Sequence, residues 1–419
     1  MTPAFVEGAT ERLLPGGEGT VRSGSAVYLI ANTVPGDIIH FSPRRKRRGS
    51  RRGQLTKVIR ASEHRGAPRC NVAASCGGCA LQYLKSEYHA STKNQWVRDA
   101  FRTVIDTDST QKPIPDDMVD HRRRRIRWHV GLDDDGYFMG LHSRSSHKVV
   151  RQSHCHVLTD ALQIIHDELE PLLDSSIEAV LATQLSDGIH VVLERPKADS
   201  LSFDIPCTKI GTLVVQWWQR HGSVIQPLSQ PVRRLHDSLP AGDETIQIQI
   251  GPDDFVQGQF EGNQTLVRQI IEWGRGTKRI ADMFSGVGNL SLPLACATGA
   301  AVTGAEIREQ SVQRANANAR ALKVRASYVQ ANLFGAFDTS PFAGVDVLIL
   351  DPPRKGARRV CEAMGSLLPA KIIMVSCNVA SGSRDAAILH AHGYRMQALR
   401  ALDIFPYAGH VETMSLWTQ

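Results

Sequence analysis

The feature that most constrains the fold of this sequence is a regular alternation of apolar strand candidates and helix candidates, which begins at Ile280. Four short apolar runs, RIADMF, AAVTGAE, DVLILD and KIIMVSC, are each followed by a longer segment with helical periodicity. Strands that alternate with helices predict a parallel sheet with helices on both faces. We therefore expect a doubly wound α/β domain, in which ligands bind beyond the carboxyl ends of the strands.

Polar residues stand at the ends of these predicted strands. The first strand ends at Asp282 in DMFSGVGN, where Gly286 lets the backbone approach a ligand before the next helix. Glu306 ends the second strand, about one βαβ step later, where a carboxylate can bind the hydroxyls of a ribose. Asn332 and Asp351 close the next two strands. No phosphate-binding lysine follows the glycines, which disfavours a P-loop and leaves a dinucleotide as an alternative.

The form DxFxGxGN resembles the glycine loop of S-adenosylmethionine-dependent methyltransferases, and this gives a context to Cys377. This cysteine ends the strand in KIIMVSCNVA. Most free cysteines are small buried hydrophobic residues. Here the strand-end position and the polar neighbours Ser376 and Asn378 favour a thiol in the ligand crevice. A thiolate beside a methyl donor implies covalent catalysis.

A covalent nucleophile is needed only when the methyl acceptor is not itself nucleophilic. Methyltransferases that act on exocyclic amines typically carry an aromatic residue after Asp-Pro-Pro or Asn-Pro-Pro, whereas Asp351 here begins DPPRKG, with a cation instead. The C5 carbon of uracil is inert until a thiolate adds to C6, and a base must later remove the C5 proton. Glu412 is the candidate base, because its apolar segment DIFPYAGHVET would raise the pKa of a carboxyl group. A structural salt-bridge role is the alternative.

Together, DMFSGVGNLSLPLA, DPPRKG, SCN followed by RDA, and DIFP with HVE resemble the RNA 5-methyluridine methyltransferase family, over most of the chain. The resemblance implies that Cys377 is the nucleophile, that Glu412 removes the C5 proton, and that Asp351 lies between cofactor and target uridine. It also implies S-adenosyl-L-methionine as the cofactor. The expected cofactor contacts are Gln257, Phe284, Gly286, Asn289, Glu306, Asn332 and Asp351. The chain departs from the usual family pattern at Gly258 and Gln259, and after SCN.

A second set of cysteines predicts a metal site. Cys70, Cys76 and Cys79 are clustered, and Cys155 lies far downstream. This asymmetric arrangement favours a four-iron cluster, with zinc bound by four thiolates as the alternative. The resemblance implies a [4Fe-4S] cluster, because the ribosomal-RNA branch of the family binds one through cysteines that match these four. The remaining cysteines are expected to be core residues: Cys207, Cys296 and Cys361.

The N-terminal region and the charge both indicate an RNA partner. Residues 1–60 contain short strand-like runs separated by PGGEG and VPGD turns, which predict a small β-barrel and resemble a TRAM domain. The formal net charge is +7, which suits a polyanionic partner. PRRKRRGSRRGQLTKVIR is either an RNA-binding, a solvated or a disordered basic run. HRRRRIR, at residues 121–127, leads into an alternating segment, so its arginines should lie on ordered structure.

The sequence thus predicts three parts: an OB-like TRAM barrel (1–60), a mixed α+β iron–sulfur and RNA-binding domain (61–245), and a Rossmann-like class I methyltransferase domain (246–419). No membrane span or secretory signal is predicted, so we expect a cytoplasmic protein, and no protein partner is evident. Barrel and cluster together favour a splayed-out uridine in 23S rRNA over tRNA as the target. The alternatives are a tRNA uracil-C5 methyltransferase, an amino- or cytosine-methyltransferase, and a non-catalytic RNA-binding protein.

Overall fold

The N-terminal region forms a closed five-stranded barrel. The computed structural model describes residues 5–47, 49–105, 109–114, 123–144, 146–196 and 204–419. The barrel has the strand order β1-β2-β3-β5-β4 and encloses Val21, Ile30, Ile39 and Phe41. Its strands are β1 (Val6–Leu13), β2 (Glu18–Ser23), β3 (Ala26–Ala31), β4 (Ile38–Arg47) and β5 (Ser50–Arg60). The first basic run therefore lies largely on β4 and β5 and is not a disordered arm.

The loop that carries Cys70, Cys76 and Cys79 follows the barrel and leads into α1 (His89–Phe101) and the short strand β6 (Thr110–Lys112). Trp96 of α1 is buried, and its indole donates a hydrogen bond of 2.8 Å to the Leu13 carbonyl of the barrel. The barrel is thus held against α1 by apolar packing and by a buried hydrogen bond.

The central region forms a mostly antiparallel sheet in the order β12-β13-β11-β10-β7-β8-β9, with β14 paired to β13. One face of this sheet packs on α2, and Trp128 and Trp217 are fully buried between them. The elements are β7 (Arg125–Asp133), β8 (Gly136–His142), β9 (Val149–Arg151), α2 (Asp160–Leu169), β10 (Ala179–Gln184), β11 (Gly188–Glu194), β12 (Lys209–Ile210), β13 (Leu213–His221) and β14 (Val224–Pro227).

A hairpin leads into the C-terminal domain, whose sheet has the order β19-β18-β17-β20-β21-β23-β22-β6. Strands β17 to β21 are parallel, as the alternation of the sequence predicts, and β23 lies antiparallel between β21 and β22. The strands are β15 (Leu235–Ala241), β16 (Glu244–Ile250), β17 (Arg279–Met283), β18 (Ala301–Glu306), β19 (Ala326–Gln330), β20 (Val347–Leu350), β21 (Lys371–Ser376), β22 (Arg395–Leu402) and β23 (Glu412–Thr418). The helices are α3 (Phe260–Trp273), α4 (Ser291–Thr298), α5 (Glu309–Ala321), α6 (Arg358–Glu362), α7 (Met364–Leu367) and α8 (Val379–Ala391).

The packing departs from the predicted division of the chain in two places. Strand β6, within 61–245, pairs with β22 at the edge of the C-terminal sheet. Helix α1, also within 61–245, packs in the core of the C-terminal domain, where Val97 and Phe101 lie in the same cluster as Leu389. The hairpin β15–β16 also packs there, and Leu239 and Ile248 are buried in the same core as α3. Helix α1 and the hairpin bury their apolar side chains against the C-terminal domain, and they therefore belong to its cores. None of the described helices has the length and the apolar character needed to cross a membrane.

Candidate active site

The glycine loop between β17 and α4 forms one wall of the site. Gly286 has a positive φ of 54°, and a Cβ atom at this position would meet nothing within 4 Å. Its N–H donates a hydrogen bond of 3.1 Å to Glu306, whose other carboxylate oxygen accepts one of 3.0 Å from the N–H of Arg308. The backbone of the loop and the carboxylate at the end of β18 are thus brought together, with open space beside Gly286.

Two aromatic rings stand beside this loop. Phe284 has a φ of 68°, which is unusual for a residue with a side chain, and its ring centroid lies 5.5 Å from that of Phe334. Asn332 is exposed after β19, and its side-chain oxygen accepts a hydrogen bond of 3.1 Å from the N–H of Phe334. Phe334 is half-exposed on the same side, and the Lys355 ammonium lies 5.9 Å from its centroid. Phe284 and Asn332 therefore both lie beside the Phe334 ring, on one apolar surface.

The other predicted residues of the glycine loop face inward. The side-chain amides of Asn289 and Asn263 exchange two hydrogen bonds of 3.0 and 2.9 Å, which tie the loop to α3. Asp282 is buried beneath the loop, where its carboxylate accepts a hydrogen bond from Ser291. Burial raises the pKa of Asp282 to about 7. Asp282 therefore supports the loop from below and does not line the crevice.

Gln257 and Asp351 meet in the middle of the site. The Gln257 amide donates a hydrogen bond of 3.2 Å to the Asp351 carboxylate, although the two residues are 94 positions apart. Burial raises the pKa of Asp351 to about 6. Gln257 is held in turn by Arg124, whose Nε donates a hydrogen bond of 2.8 Å to the Gln257 carbonyl.

Cys377 directly follows β21 and precedes α8. Its neighbours have structural roles: Asn378 caps α8 by accepting a hydrogen bond of 3.0 Å from the N–H of Ala380, and the Ser376 hydroxyl bonds to the Asn378 carbonyl at 3.1 Å. The thiol is half-buried. Burial, Glu412 and Asp351 raise the pKa of Cys377 to about 11, and Arg354 opposes the shift.

Glu412 is the residue beside Cys377 on the neighbouring strand. Ser376 pairs with Thr413 in the antiparallel β21–β23 ladder, so the next positions in register are Cys377 and Glu412. The Glu412 side chain is 1% exposed, and its Oε1 has no hydrogen-bond partner among the described residues. Burial and then the charge of Asp351 raise the pKa of Glu412 well above its usual range. The three predicted catalytic side chains thus lie close together, and the charges of Asp351 and Glu412 both act on Cys377.

The RDA motif of α8 fixes the position of the DPPRKG loop, which contains Asp351. The Asp385 carboxylate accepts a hydrogen bond of 2.6 Å from the N–H of Ala357, and a Cβ atom on Gly356 would lie 2.2 Å from that carboxylate. Only glycine fits there, which explains the motif. The loop presents Arg354, whose guanidinium lies 3.2 Å from the ring of His410. Burial lowers the pKa of His410 to about 4, which favours a neutral ring.

The loop that precedes Glu412 is anchored at several points. The fully buried Lys93 ammonium of α1 donates hydrogen bonds of 2.6 Å to Asp403 and 2.9 Å to the Phe405 carbonyl. Further along, the Tyr407 carbonyl accepts a hydrogen bond of 2.8 Å from the N–H of Leu81, in the cysteine loop. The base candidate thus follows a segment that contacts both α1 and the cysteine loop.

The four predicted metal-binding cysteines line one enclosed cavity of about 40 Å³, between the cysteine loop and residues 404–408. Burial is the main cause that raises the pKa of Cys79 to about 12 and that of Cys155 to about 11, and the other thiols of the set add to both shifts. In the described part of the chain, no three His, Cys, Asp or Glu side chains are arranged to hold a single metal ion. Of the other cysteines, Cys361 is fully buried, and Cys207 and Cys296 pack against hydrophobic cores, as expected.

The second basic run contains residues of two kinds. His121 and Arg122 lie outside the described residues. Arg124 is fully buried, and one of its guanidinium nitrogens donates to both carboxylate oxygens of Asp237, at 2.8 and 2.9 Å. Its guanidinium also stacks on Phe260, 4.2 Å from the ring centroid. Arg124 is thus a structural residue within a run that was predicted to contact RNA.

Sequence reasoning missed several residues of the site. The cation after Asp-Pro-Pro was noted, but Arg354 was not assigned to the site, and His410 and Phe334 carry no local signal. Lys93 lies 310 positions from Asp403, and nothing in the sequence connects the two.

Comparison with known proteins shows which fold and family this chain shares. The methyltransferase small domain family matches residues 254–369. In its fold, the chain is similar to the Pyrococcus abyssi tRNA (uracil-54, C5)-methyltransferase in complex with S-adenosyl-L-homocysteine, with a TM-score of 0.74 and 22% identity over 99% of this chain and 100% of that one. The C-terminal domain thus has the class I methyltransferase fold.

Similarity in sequence extends over nearly the whole chain. The 23S rRNA (uracil(1939)-C(5))-methyltransferase RlmD of Aromatoleum aromaticum is 32% identical, with 96% of both chains covered. That of Marinomonas posidonica is 30% identical, with 99% of this chain and 95% of the relative covered. Because this identity spans barrel, cysteine loop and catalytic domain alike, the chain belongs to the RlmD family of 23S rRNA (uracil-C5)-methyltransferases.

Proposed function

We propose that this protein methylates C5 of a uridine in 23S rRNA, with S-adenosyl-L-methionine as the methyl donor. The observation that carries the proposal is that Glu412 lies beside Cys377 in the β21–β23 register, with Asp351 close enough to act on both. A thiol and an unpaired carboxyl group side by side provide the nucleophile and the base that the C5 of uracil requires. Relatives that act on 23S rRNA match the whole chain, and this supports the choice of substrate.

The residues around the glycine loop fit the cofactor. Gly286 leaves an open space beside the backbone, Glu306 lies at its edge, and Phe284 with Phe334 gives an apolar border for an adenine ring. Gln257, Asn289, Asn332 and Asp351 are the further contacts that we propose. When bound, S-adenosyl-L-methionine supplies the electrophilic methyl group.

The Cys377 thiol performs the first step after it has lost its proton. Its thiolate adds to C6 of the uracil, so that an S–C6 bond forms and the electrons of the C5–C6 double bond move towards O4. C5 then becomes nucleophilic and can take up the methyl group. The positive charge of Arg354 favours the thiolate form of Cys377. Cys377 also lies next to the N-terminus of α8, where the helix dipole favours a negative charge.

Glu412 completes the reaction. Its Oε1 has no other partner in the described part of the chain, and in its ionised form it takes the proton from C5. The C5–C6 double bond forms again, the S–C6 bond breaks, and Cys377 is released. Burial in an apolar pocket strengthens this carboxylate as a base. Gln257 holds Asp351 by a hydrogen bond of 3.2 Å, and the role that we propose for Asp351 is at the junction of the cofactor and the target uridine.

The cavity between the cysteine loop and residues 404–408 suits a [4Fe-4S] cluster held by Cys70, Cys76, Cys79 and Cys155. Four thiolates on one zinc ion would lie within about 3.8 Å of one another, because each Zn–S bond is about 2.3 Å. In the described part of the chain, however, no three cysteines are arranged to hold a single metal ion, while all four line one cavity of about 40 Å³. A four-iron cluster would offer one iron atom to each of the four thiolates.

The cluster has a structural role in this proposal. The same cavity is lined by Ile404, Phe405, Pro406 and Ala408, which belong to the segment leading to Glu412. The four cysteines, when bound to a cluster, would therefore hold this segment against the cysteine loop and fix the position of the base.

The test is to map 5-methyluridine in 23S rRNA from cells that lack this protein. The first nucleotide to examine is the one that corresponds to uracil 1939, which the names of the relatives specify. We expect the modification to be lost there and restored by the wild-type gene but not by Cys377→Ala. Loss of 5-methyluridine from tRNA, with 23S rRNA unchanged, would contradict the choice of substrate.

A further inference from the structure

The odd-numbered residues from just before β7 to its middle form a row of basic side chains. Three are arginines, and the fourth, His129, is neutral at pH 7 because burial and the charge of Arg127 lower its pKa to about 4. Side chains of a strand alternate between its two faces, so Ile126 and Trp128 enter the core with α2 while the residues between them point away from it. We call the outward set the basic row; it consists of Arg123, Arg125, Arg127 and His129. With a rise of about 3.4 Å per residue, successive members are about 7 Å apart.

A cavity of about 320 Å³ lies against the basic row. Five arginines and two acids line it: Arg123, Arg125, Arg127, Arg220, Arg308, Glu194 and Asp253. Glu194 forms ion pairs with Arg127 and Arg220, and Asp253 pairs with Arg308. Five positive and two negative charges leave a net charge of +3. Within the described residues Arg125 has no acidic partner, whereas Arg123 also lines the cysteine cavity, near Cys79 and Cys155.

Arg125 is the centre of this excess charge. Its Nε is buried and has no hydrogen-bond partner among the residues that the structure describes. Its guanidinium lies 5.5 Å from the ring centroid of Phe255, which is 62% exposed. Burial and the charges of Arg123, Arg220 and Arg308 lower the pKa of Arg125 to about 10, so it remains charged at neutral pH. A partly buried cation among other cations is unfavourable unless an anion binds beside it.

We infer that this cavity binds a backbone phosphate of the RNA substrate, with Arg125 as its central ligand. The inference rests on the proposed function and adds a specific contact to it. The ligand is a phosphate because a guanidinium presents N–H donors that match phosphate oxygens. The site should be occupied by RNA and not by free phosphate, because the row continues beyond the cavity. The basic row begins at Arg123, whose pKa is lowered in part by the nearby charge of Arg354, and it ends at His129. The repeat of about 7 Å also suits successive phosphates of an extended strand.

The test compares Arg125→Gln with the matched control Arg325→Gln. Arg325 lies just before β19, at the amino end of the parallel strands, whereas Arg308 of the cavity follows the carboxyl end of β18. Binding of a 23S rRNA fragment is measured by fluorescence anisotropy at several salt concentrations. We expect Arg125→Gln to raise Kd about tenfold and to lower the slope of log Kd against log salt by about 0.7–1, the effect of one lost phosphate contact. Arg325→Gln should change neither.

Two further measurements separate a phosphate contact from a structural role. Arg125→Lys should keep the salt slope, because the charge remains, and thermal melting should be alike in both Arg125 variants. RNA with a single neutral methylphosphonate linkage near the target uridine should bind the wild type more weakly than normal RNA, at one linkage only. At that linkage, Arg125→Gln should show no further loss.

Three results would overturn the inference. They are an unchanged salt slope in Arg125→Gln, an equal loss at every linkage in both proteins, and weaker binding of S-adenosyl-L-methionine without weaker binding of RNA. The proposed function is judged separately, by whether the wild type forms 5-methyluridine in the same fragment. RNA binding with the predicted slope but without methylation would reject the proposed function and leave the phosphate site intact.

Discussion

Replacement of Lys93 by Met should destabilise the protein and slow catalysis from a distance. The Lys93 side chain is 0% exposed, and its ammonium makes two hydrogen bonds, to Asp403 and to the Phe405 carbonyl. Methionine has a similar length and apolar stem, so little packing is lost. The Asp403 carboxylate, however, would remain in an apolar environment with its charge uncompensated. Removing one partner of such a buried pair costs about 3–5 kcal/mol.

The double variant Lys93→Met/Asp403→Asn measures the charge part of this cost. The asparagine oxygen can still accept the hydrogen bond of 3.1 Å that the N–H of Phe405 gives to Asp403. Relative to Lys93→Met, the double variant removes only the unpaired charge. It should therefore recover about half of the stability that Lys93→Met loses. The remaining loss reflects the hydrogen bonds of Lys93, at about 1–2 kcal/mol each. Lys278→Met, on the exposed surface, is the control and should lie within about 0.5 kcal/mol of the wild type.

Guanidinium unfolding followed by tryptophan fluorescence provides the assay, because Trp96 lies one turn from Lys93 on α1 and is buried. Single-turnover methylation measured in parallel should be slower in Lys93→Met, since the segment 403–411 positions Glu412. A loss of stability below about 1 kcal/mol, or a double variant less stable than the single one, would refute the reasoning.

Further predictions concern the thiols and the base. Cys377→Ala should abolish methylation while the affinity for S-adenosyl-L-methionine stays within a few fold; retained turnover would remove the mechanism. Glu412→Gln should permit methyl transfer but block elimination, so that a covalent protein–RNA complex accumulates on denaturing gels, unless another group is the base. Because protons must leave a thiol with a pKa of about 11, the rate of covalent complex formation should rise about tenfold per pH unit between about pH 7 and 9, and a flat profile would contradict this. Anaerobically purified protein should be brown and contain about four irons. Cys155→Ser should lose iron and, since the ligands close a loop of some 85 residues worth about 4–5 kcal/mol, should melt earlier; unchanged iron content and melting would exclude this ligand.

Glu412→Gln also tests the electrostatics of the folded protein. Burial raises the pKa of Glu412 above its unfolded value. The wild type is therefore penalised as the pH rises from the unfolded pKa of about 4.3 through the higher folded pKa, because its carboxyl group must ionise in an apolar pocket. The variant lacks this penalty. Its melting temperature should match that of the wild type near pH 4 and exceed it at pH 8; an equal difference at both pH values would contradict the assignment.

The C-terminal domain was largely predictable from the sequence, because its strands are buried on both faces and appear as short apolar runs between helical segments. Strand β6 was not predictable, since it has only three residues, all exposed, and is defined by pairing with β22 nearly 290 positions away. Helix α1 was assigned to the central region for the same reason: its partners are distant in sequence. Local patterns report local structure, and these two elements depend on tertiary contacts.

The chemistry of the site was predictable where a motif carries it, and not where packing does. Cys377 and Glu412 stand in motifs, and their proximity follows from the register of β21 and β23. The polar neighbours of Cys377, Ser376 and Asn378, suggested a functional environment, but they bond to the backbone and cap α8. Arg124 could not be distinguished from the arginines beside it, because only the alternation of strand faces, once its register is known, places it in the interior.

The most direct test of the central claim is mass spectrometry of the protein after incubation with S-adenosyl-L-methionine and 23S rRNA fragments that contain 5-fluorouridine. Fluorine at C5 cannot leave as a cation, so Glu412 has no proton to remove and the covalent complex cannot be resolved. We predict one modified tryptic peptide, with the methylated fluorouridine bound to the sulfur of Cys377 and no adduct in Cys377→Ala. An adduct on another residue, or methylated RNA released without any adduct, would contradict the account.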